Sequence, residues 1–346
     1  MLREALAGAE TNPGERHQLW SMALRGLLVL AGLALTAWPF PGGALESRSP
    51  DDAQDKGYTI GVNVDLVVLH AAVYDKAGNF VAGLKKEDFK VHEDGVAQTL
   101  TTFSREDVPV SLGILVDCSG SMRSKIGQVT DSALEFIRAS NPEDRTFLVG
   151  FSDRVEMLSD YTSNVDEIAG ALRNIVVAGG TALYDAIHLG VEKAQNGTRP
   201  KKAIIVITDG EDRDSYYRLD DMLAKVRESD VAVYCVGFLS PVQDKGFLGL
   251  FSKNPADKAR DVLHRIAAET GGKAFFPRRT GEMTSIVSEI AHELRTQYSL
   301  GYISSNPVKD GSWRRVKVAL DRPNAPQYQV RTRAGYFAAA KKAPHS

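Results

Sequence analysis

The pattern of apolar and polar positions changes character twice along the chain. From Tyr58 to Ser104, the runs VNVDLVVLHAAVYD, FVAGL and DFKVHEDGVAQTLTTFS are short and apolar-rich, broken by turn-forming residues at Lys76–Asn79 and Glu93–Gly95. Such punctuation without a helical period predicts antiparallel strands. At Val110 a second texture begins, in which the runs VSLGILVD, TFLVGFS, AIIVITD and VAVYCVGF alternate with segments carrying apolar residues at helical spacing. Ile126, Val129, Ala133, Phe136 and Ile137 form one such face, and Met283, Ile286, Val287, Ile290 and Leu294 another. Strand followed by helix, repeated, predicts an α/β fold with a doubly wound, mostly parallel sheet covered on both sides. After Gln297 strands return without helices, in QYSLGYIS, SWRRVKVAL and YQVRTRAGYF.

This gives an expected division into an N-terminal leader (1–44), a polar linker (45–57), an N-terminal β segment (58–108), an α/β domain (109–296), a C-terminal β segment (297–337) and a tail (338–346). The N-terminal β piece has too few strands to cover a sheet face by itself. The two β segments are therefore expected to pair, forming a β-sandwich-like domain into which the α/β domain is inserted. In the leader, Arg25 precedes an apolar run from Gly26 to Trp38 and then the small residues Gly42, Gly43 and Ala44. That is the layout of a secretory signal, and the run is shorter than the roughly 20 residues of a comfortable membrane-spanning helix. The expectation is an extracytoplasmic protein, secreted or periplasmic, touching a membrane only if the leader stays uncleaved.

Composition narrows the partners. The chain has 346 residues, 43% hydrophobic and 25% charged, with a formal net charge of −2. That suffices for a full core and offers no electrostatic footprint for nucleic acid. The two cysteines, Cys118 and Cys235, supply no disulfide framework and are read as inert thiols.

The candidate chemistry sits at two strand ends. VSLGILVD stops at Asp117 and AIIVITD stops at Asp209, and in open parallel sheets ligands bind beyond the carboxyl ends of the strands where strand order reverses. Two carboxylates meeting there repel unless a cation compensates them. After Asp117, Ser119 and Ser121 alternate around Gly120, which lets the loop bend, and Thr181 follows the Gly179-Gly180 pair at the start of a helix. Carboxylates and hydroxyls are hard donors suited to Mg²⁺, Mn²⁺ or Ca²⁺. Singly, each residue has an ordinary alternative: the acids as helix caps, the serines as turn residues. Glu211, Asp212 and Asp214 read as a solvated acidic loop, and the scattered histidines, His188 and His264 among them, lack metal-ligand spacing.

DCSGSM at 117–122, GGTALYDAI at 179–187 and ITDGED at 207–212 resemble the metal-ion-dependent adhesion site of von Willebrand factor A domains, in the usual order. Outside that domain, VYDKAGNFVAGLKKEDFKVHEDG and the segments RTQYSLGYIS and VRTRAGYF are similar to a bacterial secreted group described as the von Willebrand factor A-related domain of acidobacteria. The resemblance spans most of residues 58–337. It implies that Asp117, Ser119, Ser121, Thr181 and Asp209 hold the ion, directly or through water, with a coordination position open to an outside ligand. In relatives an acidic side chain of a partner protein fills that position. The function implied is binding rather than turnover: an extracytoplasmic adhesion module whose partner presents an Asp or Glu carboxylate. The alternative is a Mg²⁺-dependent phosphotransfer or hydrolytic enzyme, since an Asp beside a bound cation also suits phosphoryl chemistry. Against it, Ser119 stands where the common aspartyl-phosphate hydrolases carry a second acid.

Overall fold

The structure, a computed structural model, describes residues 65–105, 107–239, 255–323 and 325–340. The expected leader and linker, and residues 58–64, lie outside the described residues.

The described residues begin with four strands, β1 (Leu66–Tyr74), β2 (Phe89–Glu93), β3 (Val96–Gln98) and β4 (Leu100–Ser104). Asp94 at φ 48° and Gly95 at φ 86° make the tight turn between β2 and β3, which pair antiparallel. FVAGL does not form a strand: Phe80 makes a single bridge to Tyr74, and Gly83 at φ 80° turns the chain away.

The alternating region follows as β5 (Val110–Asp117), α1 (Ile126–Ala139), β6 (Arg145–Phe151), β7 (Val155–Thr162), α2 (Val165–Arg173), α3 (Leu183–Gln195), β8 (Lys201–Thr208), α4 (Leu219–Arg227), β9 (Ala232–Gly237), α5 (Pro255–Thr270), β10 (Ala274–Phe275) and α6 (Met283–Thr296). Its six-stranded sheet has the order β10-β9-β8-β5-β6-β7, parallel except for the edge strand β7. Every residue of β5 is buried, as a strand covered on both faces requires. Apolar faces of α1, α2 and α6 close one side of the sheet, and those of α3, α4 and α5 close the other. The expected doubly wound α/β architecture is what the fold displays.

Four more strands complete the chain: β11 (Tyr298–Ile303), β12 (Trp313–Leu320), β13 (Gln329–Arg331) and β14 (Gly335–Phe337). YQVRTRAGYF is thus split, because the chain crosses at Thr332–Ala334 from one sheet to another. One four-stranded sheet has the order β13-β1-β11-β4 and the other β14-β12-β2-β3, so each mixes strands from before and after the α/β region. Leu69, Phe89, Val91, Tyr298, Leu300, Tyr302 and Val318 fill the core they share. Ala338, assigned by sequence to the tail, is buried and donates its N–H to the Ser312 carbonyl.

Candidate metal centre

Strand order fixes where the site lies. β5 leads to β6 and β7 on one side, and β8 leads to β9 and β10 on the other, so the order reverses between β5 and β8. These two strands run in parallel register from Val110↔Lys201 to Val116↔Ile207. Asp117 and Asp209 therefore leave the sheet at the same rim, in the crevice where such sheets bind ligands.

Asp117 is 0% exposed. Its Oδ1 accepts the Ser119 N–H at 2.8 Å and its Oδ2 accepts the Thr208 hydroxyl at 2.6 Å. The first bond is a local Asx-type turn, and α1 has Lys125 at its N-cap position and no side-chain cap, so helix capping does not account for this acid. Ser119 and Ser121 share a hydrogen bond between hydroxyls at 3.0 Å, and Ser121 donates to Asp209 Oδ1 at 2.7 Å. The Asp209 side chain is only 2% exposed, and its Oδ2 is paired with the Lys125 ammonium. Four of the five residues are thus linked by hydrogen bonds, Asp117 through the Ser119 backbone N–H and the other three through side-chain oxygens. Thr181 joins it through the neighbouring backbone: Gly120 N–H donates to the Gly179 carbonyl at 3.3 Å, and Thr181 Oγ1 faces Gly210 next to Asp209.

The glycine pair is required by geometry. Gly179 lies at φ 80°, the left-handed region that side chains avoid, and any Cβ on it would press on Asp153. A Cβ on Gly180 would overlap the Asp214 carboxylate, which accepts the Thr181 N–H at 2.7 Å. Asp212 accepts from Ser215 at 2.5 Å and from the Tyr184 N–H at 3.1 Å, at the start of α3. Asp212 and Asp214 lie in the expected loop, Asp214 exposed and Asp212 half-buried, and both also accept hydrogen bonds at the entrance to α3. Sequence reasoning also missed Thr208 and Lys125. Thr208 immediately precedes Asp209, but nothing in the pattern says that its hydroxyl faces Asp117.

The electrostatics suit a cation. Burial, followed by smaller opposing hydrogen bonds and the nearby Asp209 charge, leaves the Asp117 carboxyl above its ordinary range. Two nearly buried acids served by one lysine form a site that gains from added positive charge. The donor set is wholly oxygen, and among the described residues no group of three or more His, Cys, Asp or Glu is gathered for a metal. A hard ion bound partly by hydroxyls fits these residues, and a thiolate or imidazole metal does not. Burial, then the Asp117 charge, pushes the Cys118 thiol up to about 12, and its Sγ donates to the Val116 carbonyl. Cys235 is likewise pushed up to about 12 by burial, and both cysteines are free. His188 stacks on Tyr217 with ring centroids 4.0 Å apart, and His264 packs on Phe276 at 4.8 Å.

The profile of the von Willebrand factor type A domain matches residues 112–289, just over half of the chain. The chain belongs to the von Willebrand factor type A domain family. Members of this family often mediate metal-dependent protein interactions. A curated relative, the uncharacterized protein sll0103 of Synechocystis sp., is 27% identical over 139 residues, 38% of this chain and 32% of the relative. The chain thus spans about a third of that relative's length. Among solved structures, a von Willebrand factor type A protein from Catenulispora acidiphila is 12% identical, with coverage of 81% of this chain and 75% of that one and a TM-score of 0.45. The vWF domain of the type V pili tip protein Mfa5 from Porphyromonas gingivalis is 13% identical, covering 54% and 95%, with a TM-score of 0.43. Proximal thread matrix protein 1 from the mussel byssus, solved with a zinc-occupied MIDAS motif, is 15% identical, covering 59% and 50%, with a TM-score of 0.44. Among the described residues no helix is long and apolar enough to cross a membrane.

Proposed function

We propose that this chain is an extracytoplasmic protein-binding module that grips a carboxylate of its partner through a divalent ion held by Asp117, Ser119, Ser121, Thr181 and Asp209. The observation that carries the proposal is the chain of hydrogen bonds from Asp117, through the Ser119 backbone N–H and the Ser119 and Ser121 hydroxyls, to Asp209, with both acids withdrawn from water. Mg²⁺ is the first choice of ion, with Mn²⁺ and Ca²⁺ as the other hard candidates. When bound, the ion supplies a Lewis-acidic position for the partner's acid. Asp117 and Asp209 balance its charge, the hydroxyls fix its place, and Thr208 orients Asp117 from behind. Both Asp117 oxygens already accept hydrogen bonds, which favours a holding role over that of a phosphate-accepting nucleophile.

The test is calorimetric titration of the purified chain with MgCl₂ and MnCl₂, followed by capture of secreted partners with and without chelator. One-site uptake that Asp209→Ala abolishes supports the proposal. Absence of uptake by the wild type overturns it.

Lys125 provides a further expectation. Its ammonium rests on Asp209 and lies 3.5 Å from the Ser121 carbonyl, so it repels any cation entering beside them. Lys125→Met is expected to tighten divalent-ion binding about tenfold, corresponding to about 1.4 kcal/mol of relieved repulsion at a partly exposed site. An unchanged dissociation constant, measured in the same titration, would mean that the lysine swings clear without resistance.

A further inference from the structure

A second polar recess lies at the opposite end of the α/β sheet, near the amino ends of β8 and β9, where the two four-stranded sheets adjoin it. It has a volume of about 480 Å³ and is lined by His70 of β1, Ser104 of β4, Thr270 of α5, Gln297, Ser299 of β11 and Arg333. These residues come from both ends of the chain and from the inserted domain, so only the folded junction assembles them.

Positive charge in this recess is only partly compensated among the described residues: Asp230 acts on Arg333 across the recess, and the guanidinium lies over the Tyr336 ring, 5.6 Å from its centroid. Arg333 donates one guanidinium N–H to the Val68 carbonyl at 3.1 Å, and its Nε is buried without a hydrogen-bond partner among the described residues. Only one of its terminal N–H groups is used in this way among these residues, which leaves guanidinium donors for an acceptor in the recess. Among the described residues the one lining acid, Asp230, is also paired with Lys202 at 3.2 Å. Behind the wall lies Lys201, 2% exposed, whose Nζ donates to the Leu294 carbonyl at 2.7 Å, at the end of α6. His70 offers Nδ1 to Ser299 Oγ at 3.1 Å.

We infer that this junction recess is a binding site for a small oxyanion, an inorganic phosphate or a compact carboxylate, with Arg333 as its principal donor and His70 and Ser104 beside it. Convergence of several polar groups among apolar walls is the usual form of a small-ligand site. The direction of the His70 pKa agrees: burial, then the charges of Lys201 and Arg333, lower it to about 4, with Asp230 opposing weakly. The inference is independent of the metal centre.

The full chain, with its histidines labelled for NMR, is titrated with sodium phosphate, with sodium succinate and with sodium chloride at matched ionic strength. Saturable binding of phosphate or succinate but not chloride is expected, together with a rise of the His70 titration midpoint, because a neighbouring anion favours the imidazolium. Phosphate alone identifies a tetrahedral oxyanion, and succinate alone a carboxylate. Arg333→Met is expected to weaken binding at least tenfold, whereas Asp117→Asn leaves it unchanged. The His70 measurement is made on the wild type, so it stands even if the Arg333 variant does not fold. Chemical-shift changes that merely follow ionic strength, an unmoved His70 midpoint, or full binding by Arg333→Met would each overturn the inference.

Discussion

Replacing Glu293 by alanine is expected to lower the unfolding free energy by about 3–5 kcal/mol, the range for breaking a buried ion pair from one side. Glu293 sits in α6 at 1% exposure and takes four partners from four parts of the fold. It accepts the Tyr234 hydroxyl of β9 at 2.7 Å and the Gln297 amide at 3.3 Å, and it also pairs with the Tyr74 hydroxyl of β1 and the Arg331 guanidinium of β13. Burial, then the Glu293 charge, pushes the phenols of Tyr74 and Tyr234 upward, so both remain protonated donors. Alanine would strand a largely buried guanidinium and two phenols at once. The double variant Glu293→Leu with Arg331→Met, which removes both charges and keeps apolar volume, is expected to recover most of the loss. Urea denaturation of the three proteins decides the matter: a Glu293→Ala change below about 0.5 kcal/mol, the size of an ordinary surface substitution, would show that the cluster holds nothing together. The cluster also explains why the inserted domain and the strands around it meet closely at α6, since one carboxylate ties the helix to β1, β9 and β13.

How far this architecture can be read in the sequence depends on the range of the interactions involved. The strand and helix alternation from Val110 to Arg295 is local, and periodicity displays it directly. Asp117 and Asp209 are conspicuous because a charged residue ending an aliphatic run has no packing reason to be there. Pairing across the whole chain is another matter. Nothing local in LVVLHAAVY says that Leu66 will sit opposite Ile303, and only the poverty of strands in each β segment hints at the association. Charges that serve a buried partner are equally silent. Glu293 lies three residues after Ile290 and one before Leu294, on the same stripe as the apolar face of α6, and its position there is the only sign that it points inward. Lys125 looks like an ordinary solvated residue at a helix start until the fold brings Asp209, 84 residues later, against it. Asp212 and Asp214 lie in a loop, as their place after a motif acid suggests, but nothing in the sequence says that the backbone N–H groups of Tyr184 and Thr181 bind them.

Asp117→Asn is expected to act in opposite directions on metal-free stability and on metal binding, and this pairing of effects is diagnostic of a site built for a cation. In the metal-free protein a fully buried carboxylate beside a second acid is unfavourable, as the raised Asp117 pKa records. A native pKa above the unfolded value means stability that is present at acid pH and lost as pH rises through the native value, so at neutral pH the charge is a net burden. Asparagine keeps the shape and can still accept the Ser119 N–H, while its amide can turn toward the Thr208 oxygen. The variant should therefore gain about 1–2 kcal/mol in EDTA, the scale of relieved desolvation and like-charge repulsion at one group. Binding should move the other way: a neutral amide in place of a ligating carboxylate is expected to weaken divalent-ion affinity about a hundredfold or more, at least as much as loss of an outer-shell partner. A concentration of ion at 100 times the wild-type dissociation constant stabilises the wild type by about 2.7 kcal/mol and the variant hardly at all. Thermal melts in EDTA and in saturating MgCl₂ should then rank the two proteins in opposite orders. If asparagine instead lowers the metal-free melting temperature, Asp117 is a structural anchor of the Ser119 and Thr208 segments, and the charge at this rim is there for the fold and not for an ion.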